Sequence, residues 1–98
     1  MANFEISGRM KVKTLQKQFK ENFNGTLRVY NGARFADESA TLASIRKGDN
    51  KGGEVKVTGK MHVGNFEKKI MEEFGIKIQV ADAADEKLAD DKTSLASL

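Results

Sequence analysis

Five cationic residues are the first candidate for chemistry, because a predicted strand brings three of them to one face. Arg9, Lys11 and Lys13 share one parity of an alternating run, so a period of two sets them about 7 Å apart. Lys56 and Lys60 hold matching places in a second, similar run. Such a surface would bind nucleic-acid phosphates without sequence preference and with strong salt dependence. A solvated face, or a strand edge that lysines protect from aggregation, explains the same pattern.

A second candidate is a predicted hairpin that groups arginine with aromatic residues. The Asn-Gly dipeptide at 31–32 is a strong signal for a two-residue turn, which would set Arg28 opposite Phe35 and Tyr30 opposite Ala33. Arginine beside an aromatic pair is typical of partner-binding hot spots. Alternatively, a short following helix covers Phe35. The predicted partner-contact residues are Arg28, Tyr30, Arg34 and Phe35.

The inventory for catalysis is thin. His62 is the single histidine and falls on the solvent parity of its strand, and cysteine is absent, which removes thiolate nucleophiles and thiolate metal sites. The segment 48–53 lacks P-loop spacing and leads into a strand, and the acidic group at 82–91 lacks the spacing of an EF-hand loop. The sequence therefore predicts neither an enzyme nor a metal or cofactor site.

Composition indicates a small globular domain with an uneven charge distribution. The chain has 98 residues and a net charge of +3, which is long enough to bury one core. Residues 1–53 carry ten Lys/Arg against five Asp/Glu, and residues 54–98 carry seven against nine. No membrane span or signal peptide is apparent, so we expect a soluble, cytoplasmic protein. It would be a monomer or a weak homo-oligomer, if the acidic half of one molecule docks on the basic half of another.

The elements that must position these residues come from an internal repeat. Residues 10–29 and 61–80 share an apolar skeleton at an offset of 51, and residues 36–45 match 89–98 at an offset of 53. In each copy the spacing of the apolar residues changes from every second residue, as in a strand, to every fourth residue, as on one face of a helix. The stripes are Leu15, Phe19 and Phe23 in the first copy, and Phe66, Ile70 and Phe74 in the second.

Caps and turns delimit these predicted elements. The first strand spans 4–13 with a bend at Gly8, and it has a counterpart bent at Gly59. The predicted N-caps are Thr14 and Asn65 for the long helices, and Asp37 and Asp90 for two short ones. Asn24 and Gly75 fit the left-handed C-terminal caps. Further strands at 26–30 and 76–81 suggest a right-handed parallel crossover in each copy.

The predicted fold is α+β, a tandem duplication of a strand-helix-strand-(strand)-short helix unit. The repeats are 3–47 and 54–98, joined by a Gly-rich linker at 48–53, within a single domain 1–98. One unit has too few apolar residues to bury its own faces, so the copies should share one core around a mixed sheet with pseudo-twofold symmetry. Two separately folded β-grasp-like units are the alternative.

The function predicted from the sequence is a non-enzymatic binding module for an unknown protein partner, through the first-copy hairpin and the basic strand. A non-specific nucleic-acid-binding protein is the alternative.

Overall fold

The computed structural model describes residues 3–45 and 54–98. These residues form a small α+β fold with two antiparallel sheets. The predicted linker at 48–53 lies outside the described residues. The strands are β1 (Asn3–Ile6), β2 (Thr26–Asn31), β3 (Arg34–Phe35), β4 (Val55–Thr58) and β5 (Ile78–Ala81); the helices are α1 (Val12–Phe23), α2 (Leu42–Ile45) and α3 (Val63–Phe74), and a final 3₁₀ turn is Leu95–Ser97.

The two long helices form where the apolar spacing predicts them. The stripes of α1 and α3 are buried, because residues three or four apart lie on one helix face. Both helices end at a left-handed residue, Asn24 with φ 57° and Gly75 with φ 65°. These are the residue types that tolerate this conformation best. The predicted helices and C-terminal caps are confirmed.

The predicted N-caps are wrong, because backbone carbonyls rather than side chains accept hydrogen bonds from the amides at the start of each helix. The cap residues are Lys11 and His62, and neither makes a side-chain cap hydrogen bond. The amide of Val12 donates to the carbonyl of Ala40 at 2.9 Å, and the amide of Val63 donates to that of Thr93 at 2.9 Å. A returning loop thus supplies the acceptors that a helix start needs.

The first strand is shorter than predicted. It ends at Ile6 and the chain turns, with the amide of Met10 donating to the carbonyl of Ser7 at 3.1 Å. The alternation of apolar and polar residues continues to Val12 because that buried residue is the first of the helix. The sequence pattern therefore does not reveal the turn between Ile6 and Val12. Val55–Thr58 ends in the same way, where the amide of Met61 donates to the carbonyl of Thr58.

The predicted mixed sheet and its parallel crossovers are wrong. β1 pairs antiparallel with β4, while β2 lies between β3 and β5 and pairs antiparallel with both. β1 and β2 lie in different sheets, so the helix between them joins strands that never become neighbours. Both four-residue ladders connect a strand before the predicted linker with one after it.

The registers of these two ladders share one feature. In the first, Phe4 faces Val57 and Ile6 faces Val55, so that Glu5 faces Lys56 between them. In the second, Leu27 faces Val80 and Val29 faces Ile78, with Arg28 facing Gln79. At the offset of 51, both central pairs join residues that occupy the same place in the two predicted copies.

One hydrophobic cluster links the two halves of the chain. Phe19 of α1 stacks on Phe66 of α3, with ring centroids 5.6 Å apart and planes 8° apart. Both rings are fully buried, and the cluster includes side chains from both sheets. The same cluster holds Leu42 of α2 and Leu95 of the 3₁₀ turn.

The short C-terminal helices of the two halves begin later than predicted. The Asp37 carboxylate accepts from the amide of Ser39, and the Asp90 carboxylate accepts from that of Lys92, both at 2.9 Å. Each aspartate therefore closes a local turn, and the helical residues start at Leu42 and Leu95.

In the described ranges 3–45 and 54–98, no helix has the length and apolar character needed to cross a bilayer.

Candidate functional site

The hairpin of β2 and β3 turns one residue later than predicted. Its two turn residues are Gly32, with φ 68°, and Ala33, so Asn31 faces Arg34 and Tyr30 faces Phe35. Glycine at the first turn position suits a type II′ turn. This register stacks the rings of Tyr30 and Phe35, with centroids 5.1 Å apart and planes 21° apart. The predicted opposition of Tyr30 to Ala33 would lose that contact.

Phe35 lies on the surface. Its side chain is 67% exposed, so the predicted cover by the short helix is wrong. Leu88, the aligned residue of the second half, is 53% exposed. The amide of Ala36 donates to the carbonyl of Val29, and the amide of Ala89 donates to the carbonyl of Val80. Each exposed apolar side chain therefore immediately precedes a residue that is hydrogen-bonded to a neighbouring strand.

Tyr30 is fixed from several sides. Its hydroxyl donates to Oε1 of Gln79 at 2.6 Å across the β2–β5 ladder. The ammonium of Lys77 lies 5.6 Å from the centroid of the tyrosine ring, within the range of a cation–π contact. With its ring stacked and its hydroxyl bonded, Tyr30 gives Phe35 a rigid support.

Arg28 is held by a loop of the second half. Its Nε donates to Oδ1 of Asp85 at 2.7 Å, and an Nη donates to the carbonyl of the same residue at 3.2 Å. The hydrogen bond from Arg28 to Asp85 raises the pKa of the guanidinium, which is charged at every physiological pH as arginine always is. Asp85 has φ 58°, a conformation that aspartate tolerates better than most residues.

The loop that carries Asp85 has further ties. The amide of Glu86 donates to Oδ1 of Asp82 at 2.8 Å and lowers the pKa of that carboxyl. The carbonyl of Ala83 accepts from Nζ of Lys20 at 3.2 Å and from the hydroxyl of Thr26 at 3.3 Å. These bonds dock a loop of the second half on the first half.

An open groove of about 300 Å³ runs beside this group. Residues of β2, from Thr26 to Val29, line it together with Phe35. Its charged and polar walls are Gln16, Arg28, Glu38 and Asp85. The arrangement offers an apolar ring, a fixed guanidinium and two carboxylates to a bound surface.

Gln16 and Glu67 occupy aligned positions on the two long helices, and each bonds to a strand. Nε2 of Gln16 donates to the carbonyl of Leu27 at 3.0 Å, while the amide of Val80 donates to Oε2 of Glu67 at 3.1 Å. Burial raises the pKa of Glu67. A carboxyl whose folded-state pKa is raised contributes stability at low pH that is lost as the pH rises through that value.

We expect Glu67→Gln to raise the melting temperature at pH 7, because the amide oxygen still accepts from Val80 and the half-buried charge is removed. At a pH below the ordinary carboxyl value of 4.5, the gain should vanish. Calorimetry across this pH range checks it, with Glu21→Gln on the exposed surface of α1 as the control. A lower melting temperature for Glu67→Gln at pH 7 would contradict it.

The predicted basic strand is dispersed. Arg9 lies in the turn after β1, Lys11 precedes α1 and Lys13 is in its first turn, all exposed. Lys56 is exposed in β4 and faces Glu5, and Lys60 lies in the turn after β4. Because β1 and β4 are antiparallel, the chain leaves the ladder at opposite ends after each strand. Lys60 is thereby separated from the cations that follow β1.

Within 3–45 and 54–98, no three acidic or histidine side chains come together in a group able to hold a metal ion. His62 is exposed and immediately precedes α3.

The chain matches no family model, no curated protein and no solved structure. The geometry of the site is therefore the basis for any function.

Five contributors to the site were missed by sequence reasoning: Gln16, Glu38, Lys77, Gln79 and Asp85. The signal for Asp85 was available, since the second copy is two residues longer at this place than the first. No local pattern marks Lys77 and Gln79 as neighbours of Tyr30, because Gln79 lies on β5 and Lys77 immediately precedes that strand, so both reach Tyr30 through the pairing of β2 with β5. Glu38 comes to the groove through the loop that caps α1.

Proposed function

We propose that this protein is a non-enzymatic protein-binding module whose contact surface is the hairpin group Arg28, Tyr30, Arg34 and Phe35. The observation that carries the proposal is the exposed ring of Phe35, which is 67% accessible, stacks on a fixed tyrosine and lines a groove. A large apolar side chain held in one orientation costs little entropy when it is covered.

The groove also suggests what the partner brings. An apolar side chain would cover Phe35, and polar groups would meet Arg28 and the acidic walls, since binding hot spots combine aromatic residues with arginine inside a polar rim. Arg34 faces Asn31 at the exposed end of the hairpin, where it belongs to that rim.

A display library of random peptides, selected against the folded protein, tests the proposal. Phe35→Ala should weaken the selected peptides at least about tenfold, as expected for a binding hot spot. Leu88→Ala is the matched control, because it removes the aligned and similarly exposed side chain of the second half. Peptides that bind Phe35→Ala as well as wild type would place the contact surface elsewhere.

Binding of nucleic acid is the alternative, and the dispersal of the five cations gives it less support. Titration with short DNA and RNA while amide shifts are followed distinguishes the two. Polyanion binding should fall steeply between low and moderate salt and should be lost in Lys11→Glu/Lys13→Glu, whereas Phe35→Ala should leave it unchanged. No shift change at low salt would remove this alternative.

We further propose that the architecture is a tandem duplication with pseudo-twofold symmetry, and that the protein works in the cytoplasm. Support for the duplication comes from matched backbone bonds. The amides of Leu42 and Leu95 donate to the carbonyls of Met10 and Met61, each at 2.9 Å. Those of Ala43 and Ala96 donate to the carbonyls of Gly8 and Gly59, at 2.9 and 3.0 Å.

A further inference from the structure

Two places on the interface between the halves decide which half can pair with which. Glu5 faces Lys56 at the middle of the β1–β4 ladder, and Arg28 faces Gln79 in the β2–β5 ladder. At both places the facing residues hold aligned positions of the two halves. A half that paired with a copy of itself would therefore set each of these residues opposite its own kind.

Such like pairings would be unfavourable. Two first halves would place Glu5 opposite Glu5 and Arg28 opposite Arg28, and two second halves would place Lys56 opposite Lys56. Directly opposed like charges destabilise a ladder, while opposite charges stabilise it. The pairs on either side contribute less to this selection. They join apolar residues such as Ile6 and Val55, and like halves would also place apolar residues opposite each other there.

Asp85 adds a third element of selection. It comes from the second half and binds Arg28 of the first. The first half turns at Gly32 and Ala33 where the second carries the longer loop, so a pair of first halves would leave Arg28 without this carboxylate.

We infer that the interface between the halves is selective for unlike halves, and that the partner it fits is a second copy of this chain, bound by exchange of halves. Both long ladders and the stacked pair Phe19–Phe66 join the first half to the second. The first half of one molecule can therefore make all these contacts with the second half of another.

The protein concentration decides whether a chain pairs its own two halves or exchanges halves with a second chain. Eight residues, 46–53, separate the two described ranges in the sequence, and a connection of that length holds the attached half at an effective concentration on the order of millimolar. Below that concentration the chain closes on itself, and near it two chains exchange halves. Unlike charges at Glu5 and Lys56 ensure that the exchange pairs a first half with a second half.

Mixing two charge variants tests the inference. Glu5→Lys places two lysines opposite each other in the β1–β4 ladder of one chain, and Lys56→Glu places two glutamates opposite each other there. An exchanged dimer of the two variants restores an opposite-charge pair at both of its interfaces. We expect the ratio of mixed dimers to like dimers to exceed its statistical value on the order of tenfold, since two ladders each change from repulsion to attraction.

The experiment refolds one isotope-labelled and one unlabelled variant together at about 1 mM and weighs the dimers by native mass spectrometry. Labelled and unlabelled wild type, mixed in the same way, should give dimers in statistical proportion. The excess of mixed dimers should shrink in about 1 M salt, because the Debye length falls to roughly 3 Å and the facing charges are then screened from each other. Mixed dimers at only their statistical share, or no dimers in any mixture, would overturn the inference.

A second measurement guards against variants that simply fold poorly. Glu5→Lys/Lys56→Glu in one chain restores the opposite-charge pair with its sign reversed. It should melt closer to wild type than either single change does. If the double variant melts no higher than the less stable single variant, the charges at these positions do not select the pairing.

Discussion

Phe19→Ala should lower the free energy of unfolding by about 3 to 5 kcal/mol, because it deletes a fully buried ring. The ring stacks on Phe66 at 5.6 Å and meets Phe23 edge-on at 5.3 Å. Since those contacts lie in both halves, the whole chain should lose its structure in one transition. Denaturant unfolding followed by circular dichroism and by resolved amide signals from each half measures both effects.

Phe35→Ala is the control for that experiment. It removes the same atoms from a ring that is 67% exposed, so its effect on stability should stay within about 0.5 kcal/mol. Two separate transitions, with only the first half responding to Phe19→Ala, would instead support the independent β-grasp-like units.

Gly25→Ile should be the second largest change, at about 1 to 3 kcal/mol of destabilisation by overpacking. A Cβ at Gly25 would lie 2.9 Å from Cδ1 of Leu98 and 3.2 Å from both the carbonyl oxygen of Ala81 and the ring of Phe19. The second half carries isoleucine at the aligned place, Ile76, and buries it. We therefore expect isoleucine to be stabilising at position 76 and destabilising at the aligned position 25.

A double variant shows whether Leu98 occupies the space. Leu98→Ala removes the closest of the three contacts, so Gly25→Ile/Leu98→Ala should lose less stability than the two single changes added together. Thermal melts of the four proteins measure the coupling. Strict additivity would mean that the backbone of Ala81 and the ring of Phe19 dominate the clash.

The helices could be predicted because their signals are local. A stripe of apolar residues four apart, ended by Asn24 or Gly75, leaves few alternatives to an amphipathic helix with a left-handed cap. The starts could not be predicted in the same way. Their acceptors are the carbonyls of Ala40 and Thr93, which lie 28 and 30 residues further along the chain than Val12 and Val63.

The strands show a similar division. Alternation assigned Leu27 and Val29 to the buried face and Arg28 to the outer face, as observed. It carried no information on which strand lies beside which. Antiparallel pairing across the halves brings Gln79 to Tyr30 and Asp85 to Arg28, and that pairing also separates Lys60 from the cations that follow β1.

By itself, therefore, the sequence determined the α+β class, the helix faces, the C-terminal caps and the residue types at the hairpin. Each of these depends on neighbours within about one helical turn or one strand, where spacing and backbone preference act directly. Only the tertiary structure decided the strand partners, the one-residue shift that stacks Tyr30 on Phe35, and the carboxylate that holds Arg28. These depend on packing between distant segments, where the register that buries and pairs the most groups prevails over the local turn signal.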